Sequence, residues 1–401
     1  MLIRNHCRTA RNSLPTCFFL AASLVVFIAL MDMVGFTQTP STIADQLSTQ
    51  ERIEQSKWWP TNGKAPRTEY VGSGGCEQCH YAIVKSQGRH SMAKASVPAV
   101  NSDILRDHAG QSFRLDAYEY KIVRNASGTF GYTVTDSAKV ISGPLSWAFG
   151  AGKVGQSYLS EENGTFHEIR FSYFDTLHSF GVTPNQSQLA ATSIDKAASR
   201  TLSAGEAERC FGCHSTASKV SNHFEPANAS PGVSCEGCHG PGAKHVAAMR
   251  AGDLDGGLAA IVNPRELKPV DLVDFCGACH TTWWDAKRIA ATGVANVRFQ
   301  PYRLESSRCW KKGDARLTCI ACHNPHQPLV REAGAYDSRC LSCHSTSAGA
   351  KPTGDHLVSA CPIGKKDCVT CHMPKYEVTD MHYKYTDHRI RVVKAGEAFP
   401  D

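Results

Sequence analysis

"CEGCHGPGAKH", residues 235–245, sets two cysteines, two histidines and three glycines in eleven positions. A cysteine pair three positions apart, followed at once by histidine, admits three readings: a zinc knuckle, a redox dithiol, or covalent haem attachment. One copy would leave the choice open. The remainder of the chain decides it.

The sequence holds 18 cysteines, and 14 of them fall into seven copies of C-x-x-C-H. The copies are Cys76-Cys79-His80, Cys210-Cys213-His214, Cys235-Cys238-His239, Cys276-Cys279-His280, Cys319-Cys322-His323, Cys340-Cys343-His344 and Cys368-Cys371-His372. Two thiols at this spacing can each form a thioether to a haem vinyl group, and the adjacent histidine then faces the iron as proximal ligand. Zinc ribbons also use C-x-x-C pairs, but nothing in a four-ligand zinc site demands histidine directly after every pair. A thioredoxin-like dithiol would occur once, and a disulfide framework would not tie each second cysteine to a histidine. The cofactor expectation is therefore seven covalently attached haems c.

The N-terminus carries Arg4, Arg8 and Arg11 ahead of an uncharged run from Leu14 to Met31. That pattern reads as an export signal, with an uncleaved membrane anchor as the alternative because the run approaches spanning length. Residues 1–44 are assigned to this segment, and the destination is the periplasm or cell surface. The formal charge of +6 does not point to nucleic acid. Two propionates and one ferric centre per haem remove about one charge at each site, which brings the holoprotein close to neutrality.

Residues 45–75 form a polar, turn-rich linker, and residues 76–109 carry the first haem site. "SFRLDAYEYKIV", "TFGYTVTD" and "GQSYLSEENGTFHEIRFSYF" alternate polar and apolar residues, broken by turn residues such as Asn163-Gly164. The alternation predicts a small antiparallel β insert over residues 110–178. Residues 179–401 hold the other six sites, and the six motifs occupy only 163 residues between Cys210 and His372. So little chain cannot build a conventional core around each site. The expected fold class is mainly α and irregular, with haems as its core and short helices such as "GAKHVAAMRAG" and "DAKRIAATG" wrapped around them.

The sixth iron position separates electron transfer from catalysis. Beyond the first 44 residues, ten histidines lie outside the motifs, whereas the methionine candidates number four (Met92, Met249, Met373, Met381). Bis-histidine ligation follows, with His90, His245, His326, His356, His382 and His388 favoured as distal ligands. His108, His167, His178 and His223 are read first as surface or strand residues. The seventh distal position is left to His178, His223 or an open site. His245 and His326 follow their proximal histidines by six and three residues, too few to travel around the same macrocycle, so they reach neighbouring haems. Cys309 and Cys361 remain, and an oxidising compartment favours a disulfide between them.

"YVGSGGCEQCHYAIVKSQGRHSMA", "GVSCEGCHGPGAKHV", "LTCIACHNPH" and "CVTCHMPK…TDHRI" together resemble multihaem c-type cytochromes of the cytochrome c-554 or doubled-CXXCH type. The resemblance implies distal roles for His90, His245, His326 and His388. It covers carriers and catalytic relatives alike, and the long β-rich gap and seven sites depart from the tetrahaem members. The leading expectation is an electron carrier between a membrane quinol-linked donor, or another cytochrome, and an acceptor. A reductase or oxidase of a small nitrogen or sulfur compound at one open haem is the alternative. A haem-stacked extracellular filament of identical subunits is the third reading.

Overall fold

The computed structural model describes residues 63–186, 190–289, 292–311, 316–344, 361, 363–394 and 396–400, which lie in one compact unit. The export segment, most of the linker and His356 fall outside these residues.

The alternating stretches form strands where the pattern places them. β2 (Ser112–Leu115), β3 (Tyr118–Arg124), β4 (Phe130–Thr135) and β5 (Val140–Leu145) make a four-stranded antiparallel sheet in chain order. Along β3 the inward positions are Tyr118, Tyr120 and Ile122, while Glu119 and Lys121 face solvent. β7 (Gly155–Glu162) and β8 (Thr165–Phe174) form the hairpin around Asn163 and Gly164, whose φ angles are 51° and 76°. Two successive positive φ values suit a two-residue turn that matches the strand twist.

The β region is larger than the sequence reading of 110–178. It begins at β1 (Ser96–Pro98) and takes in β6 (Trp147–Phe149), β9 (Ser179–Val182) and β10 (Ser199–Thr201). The second sheet runs β1-β6-β7-β8-β10, with β9 also pairing β8. The added strands have three or four residues, too few to show a period. Only pairing with a neighbour makes them strands.

The sheets pack face to face. Tyr120, Ile122 and Val134 of the first meet Tyr158, Ile169 and Phe171 of the second, together with Phe180 from β9. Burying each such side chain stabilises the fold by about 1.5–3 kcal/mol. A second apolar cluster, with Trp147, Phe149, Leu159 and Phe166, reaches out to Phe211. Neither cluster includes any residue beyond Phe224. The six-site region therefore adds little apolar core of its own among the described residues.

The helices that carry the motifs are short. They are α1 (Gly72–Gln87), α2 (Ala204–His214), α3 (Cys235–His239), α5 (Pro269–His280), α6 (Cys319–Cys322), α7 (Asp337–Leu341) and α8 (Cys368–His372); α4 (Ala243–Arg250) carries His245. Ser203 and Glu206 form a capping box at the start of α2, and Pro269 occupies the first turn of α5. Both devices satisfy or remove orphan N–H groups at a helix start. α1 breaks its helical geometry at His80, where φ is −112° and ψ 36°. The two helices expected from sequence appear as α4 and as Trp283–Arg288.

Candidate haem-binding sites

The variable positions inside the motifs do structural work. In "CFGCH", Phe211 is fully buried, with its ring edge-on to Trp147 and Phe149 at 4.9 and 5.1 Å. It pins the second motif to the β region. In "CEGCH", Glu236 is 3% exposed and accepts three backbone hydrogen bonds. Oε1 takes the N–H groups of Val71 (2.9 Å) and Gly242 (2.8 Å), and Oε2 takes that of Gly72 (2.8 Å). One carboxylate thus ties the start of the first-motif helix to the start of α4. Gly240, at φ 77°, turns the chain out of α3 and lets "GPG" lead directly into that second helix.

The histidines form facing pairs. His80 and His245 have ring centroids 6.5 Å apart and planes inclined by 20°. For His239 and His326 the values are 6.0 Å and 10°, and for His323 and His388 they are 6.2 Å and 41°. Two imidazole–metal bonds of about 2.0–2.1 Å, plus the distance from each ring nitrogen to its ring centre, fill such a gap. Backbone carbonyls hold several of these rings through Nδ1: Val262 for His239 (2.7 Å), Gly257 for His245 (2.7 Å) and Thr386 for His388 (3.1 Å). His214 and His372 are held likewise by Ala95 (3.0 Å) and Arg391 (2.8 Å). A carbonyl can only accept, so Nδ1 carries the proton and Nε2 keeps its lone pair for a metal. Burial pulls His214, His280, His323 and His326 below the ordinary imidazole range, and His388 down to about 4. These rings are neutral at pH 7.

Two imidazoles per site is the ligand set for an iron whose other four positions belong to a macrocycle. Among the described residues no three His, Cys, Asp or Glu side chains cluster to hold an ion, which a zinc site would require.

The other expected ligands fare differently. His90 lies near His280 and His323. Its Nδ1 accepts the Met92 N–H at 3.0 Å, so as a neutral ring it holds its proton on Nε2, the tautomer opposite to the others. His382 is not brought to a motif histidine. Its φ of 46° turns the ring toward the β region, edge-on to Phe174 at 4.8 Å, while its carbonyl accepts from Thr176. His108 is held by Ile104 O and packs on Tyr173 and Phe180. His167 is hydrogen-bonded to Thr201, and His178 and His223 are exposed in turn and edge positions. Cys361 is a free, exposed thiol beside His372, so the expected bridge to Cys309 is not formed.

Sequence reasoning missed Asp387. This fully buried carboxylate receives Arg303 through two bonds (2.8 and 2.9 Å) and Arg391 through a third (2.7 Å). Burial pushes its carboxyl upward, but the two guanidiniums and the Arg389 N–H more than offset this and hold it below the usual range. The clamp fixes the segment that presents His388 and supplies the Arg391 carbonyl to His372. Nothing in a lone Asp-His dipeptide announces this, because its partner lies 84 positions upstream.

Residues 166–240, which include the second and third motifs, match the family described as cytochrome c554 and c-prime. The multihaem cytochrome MtrA of Shewanella baltica (strain OS185) is 26% identical over 211 residues, covering 50% of this chain and 54% of that protein. The chain thus spans about half the length of this curated relative. A solved structure, the outer cell wall cytochrome OcwA, aligns with 81% of this chain and 80% of its own at a TM-score of 0.48 and 14% identity. No helix among the described residues is long and apolar enough to cross a membrane. Repeated attachment motifs, opposed imidazoles and the family match converge: the chain is a multihaem c-type cytochrome.

Proposed function

We propose that the chain carries seven haems c and moves electrons through them, in the periplasm or at the cell surface, between a reduced donor protein and an acceptor. The observation that carries this reading is the set of three opposed histidine pairs at 6.0–6.5 Å. Each iron, when bound, supplies a one-electron ferric/ferrous couple. The chain's own residues hold, orient and desolvate it.

The facing histidine pairs support the following assignment. Each motif contributes two thioether cysteines and a proximal histidine. His245 serves the first site opposite His80, His326 the third opposite His239, and His388 the fifth opposite His323. His90, which lies near His280, is assigned to the fourth. All four distal histidines lie beside a different motif from the one they serve, so the sites are interlocked. With so little apolar core beyond Phe224, the macrocycles supply most of the interior there, and that region of the apoprotein is expected to be largely unfolded.

The test combines intact mass with electron paramagnetic resonance of the oxidised holoprotein. The expected result is seven haem increments on the mature chain and predominantly low-spin ferric signals. Fewer than six haems, or high-spin signals from two or more irons, would refute the assignment. One high-spin iron that binds cyanide or nitrite would favour a reductase or oxidase acting at that site.

A further inference from the structure

The histidine of the second motif is held by a part of the chain far from it in sequence. The carbonyls that hold His388, His245, His372 and His239 lie 2, 12, 19 and 23 positions away. Ala95, which holds His214, lies 119 positions upstream, directly before β1 of the β region.

β1 is an edge strand, paired with β6 on one side. An edge leaves backbone groups without a ladder partner, and here the end of α2 lies against them. The Ala95 carbonyl accepts the Nδ1 proton of His214 at 3.0 Å and the Gly150 N–H at 2.7 Å. Ser96, in the next position, is fully buried, and its hydroxyl donates to the His214 carbonyl at 2.8 Å. His214 is the last residue of α2, where a helix leaves its carbonyls unpaired. Ser96 therefore caps the helix at the ligand itself. The same oxygen accepts from the Gly232 N–H at 3.1 Å and from the Ser215 hydroxyl at 2.8 Å. One donated and two accepted bonds are all that a serine hydroxyl can make, so its direction is fixed. Across the ladder, Phe149 is the register partner of Ser96, and its ring meets the His214 imidazole edge-on at 5.4 Å and 80°.

We propose that the β1–β6 corner is a socket for the second site's proximal histidine, with Ser96 and Phe149 as positioning residues. Ser96 fixes the backbone of His214, Ala95 its Nδ1 proton and Phe149 the plane of its ring. The proposal rests on the reading of His214 as an iron ligand. An acceptor at Nδ1 orients the imidazole and raises the electron donation of Nε2, which favours ferric iron. The β region brings this acceptor on a rigid support, because β1 is tied to β6 and Phe149 packs in the apolar cluster that also seats Phe211. It thereby sets the reduction potential of one haem from outside the haem-bearing segments. Removing the Ser96 hydroxyl strands the His214 carbonyl and the Gly232 N–H, and frees the end of α2 to shift away from Ala95. The Nδ1 bond then lengthens, Nε2 donates less and the ferrous state gains.

The experiment is a redox titration of the holoprotein followed by electron paramagnetic resonance, which gives each resolved signal its own midpoint potential. His214→Met identifies the signal of the second site; if it alters no signal, the ligand reading itself is refuted. In Ser96→Ala the haem count by intact mass is expected to match wild type, while the identified signal changes and its potential rises. Phe149→Leu keeps an apolar side chain without the ring edge and is expected to change the same signal, which decides the matter if Ser96→Ala does not fold. Ser102→Ala is the control. Ser102 is another buried serine of the β region, and its hydroxyl bonds Gln156 (2.6 Å) and the Leu105 N–H (3.2 Å) rather than the second motif. Its loss is expected to lower the urea midpoint and leave the identified signal in place. An unmoved signal or a lowered potential in folded Ser96→Ala overturns the socket. So does an unmoved signal in Phe149→Leu, or an equal change in Ser102→Ala.

Discussion

Replacing Glu236 with alanine removes one side chain but releases two elements. The carboxylate accepts from Val71, Gly72 and Gly242, at the starts of the helices that carry His80 and His245. A hydrogen bond to a charged group contributes about 1.5–3 kcal/mol, and the freed donors recover part of that from water. The three bonds share one acceptor and do not add, so Glu236→Ala is expected to cost about 3–5 kcal/mol, within the range for breaking a buried network. Glu236→Gln keeps an oxygen where Oε1 receives Val71 and Gly242, but it turns an amide N–H₂ toward the Gly72 N–H. Its expected cost is about half, roughly 2 kcal/mol. Urea unfolding followed by far-ultraviolet circular dichroism and by the Soret band measures the cost. Paramagnetic resonance of the folded variant counts irons that have lost a ligand. The alanine variant should convert one iron, that of the first site, from low to high spin. An alanine cost below about 0.5 kcal/mol, or equivalence of alanine and glutamine, would refute this role for Glu236.

Phe211→Ala empties the apolar seat of the second motif and should cost about 3–5 kcal/mol, read from the same urea titration. Arg303→Met leaves Asp387 buried with Arg391 alone and should destabilise by about 3–5 kcal/mol, with low-spin signal lost from the site His388 serves; unchanged spectra and midpoint would disprove the clamp. Glu206 is held at about 2, chiefly by the Arg200 guanidinium and then by Ser203. A depressed carboxyl contributes stability above its unfolded value of about 4.3 that fades as pH falls toward 2, so Glu206→Gln should be the less acid-sensitive protein in that window. Iodoacetamide applied to the unreduced, unfolded holoprotein should label Cys361, and protection would restore the bridge to Cys309.

The attachment chemistry was readable from sequence because it is local. A thioether pair and its proximal histidine occupy five consecutive residues, and spacing alone specifies them, as with Cys235, Cys238 and His239. The hairpins were readable for the same reason, since Tyr118, Tyr120 and Ile122 alternate within one strand and Asn163-Gly164 makes its own turn. Everything joining distant segments needed the tertiary structure. His382 matched the pattern of a ligand, yet a left-handed backbone turns it onto Phe174. The three-residue strands exist only because a neighbour pairs with them. Glu236 and Phe211 sit at motif positions that the attachment chemistry leaves free, and Asp387 finds its guanidinium 84 residues away. Which imidazole opposes which depends on burial and on hydrogen bonds between segments remote in the chain. No periodicity or spacing in one dimension encodes those contacts.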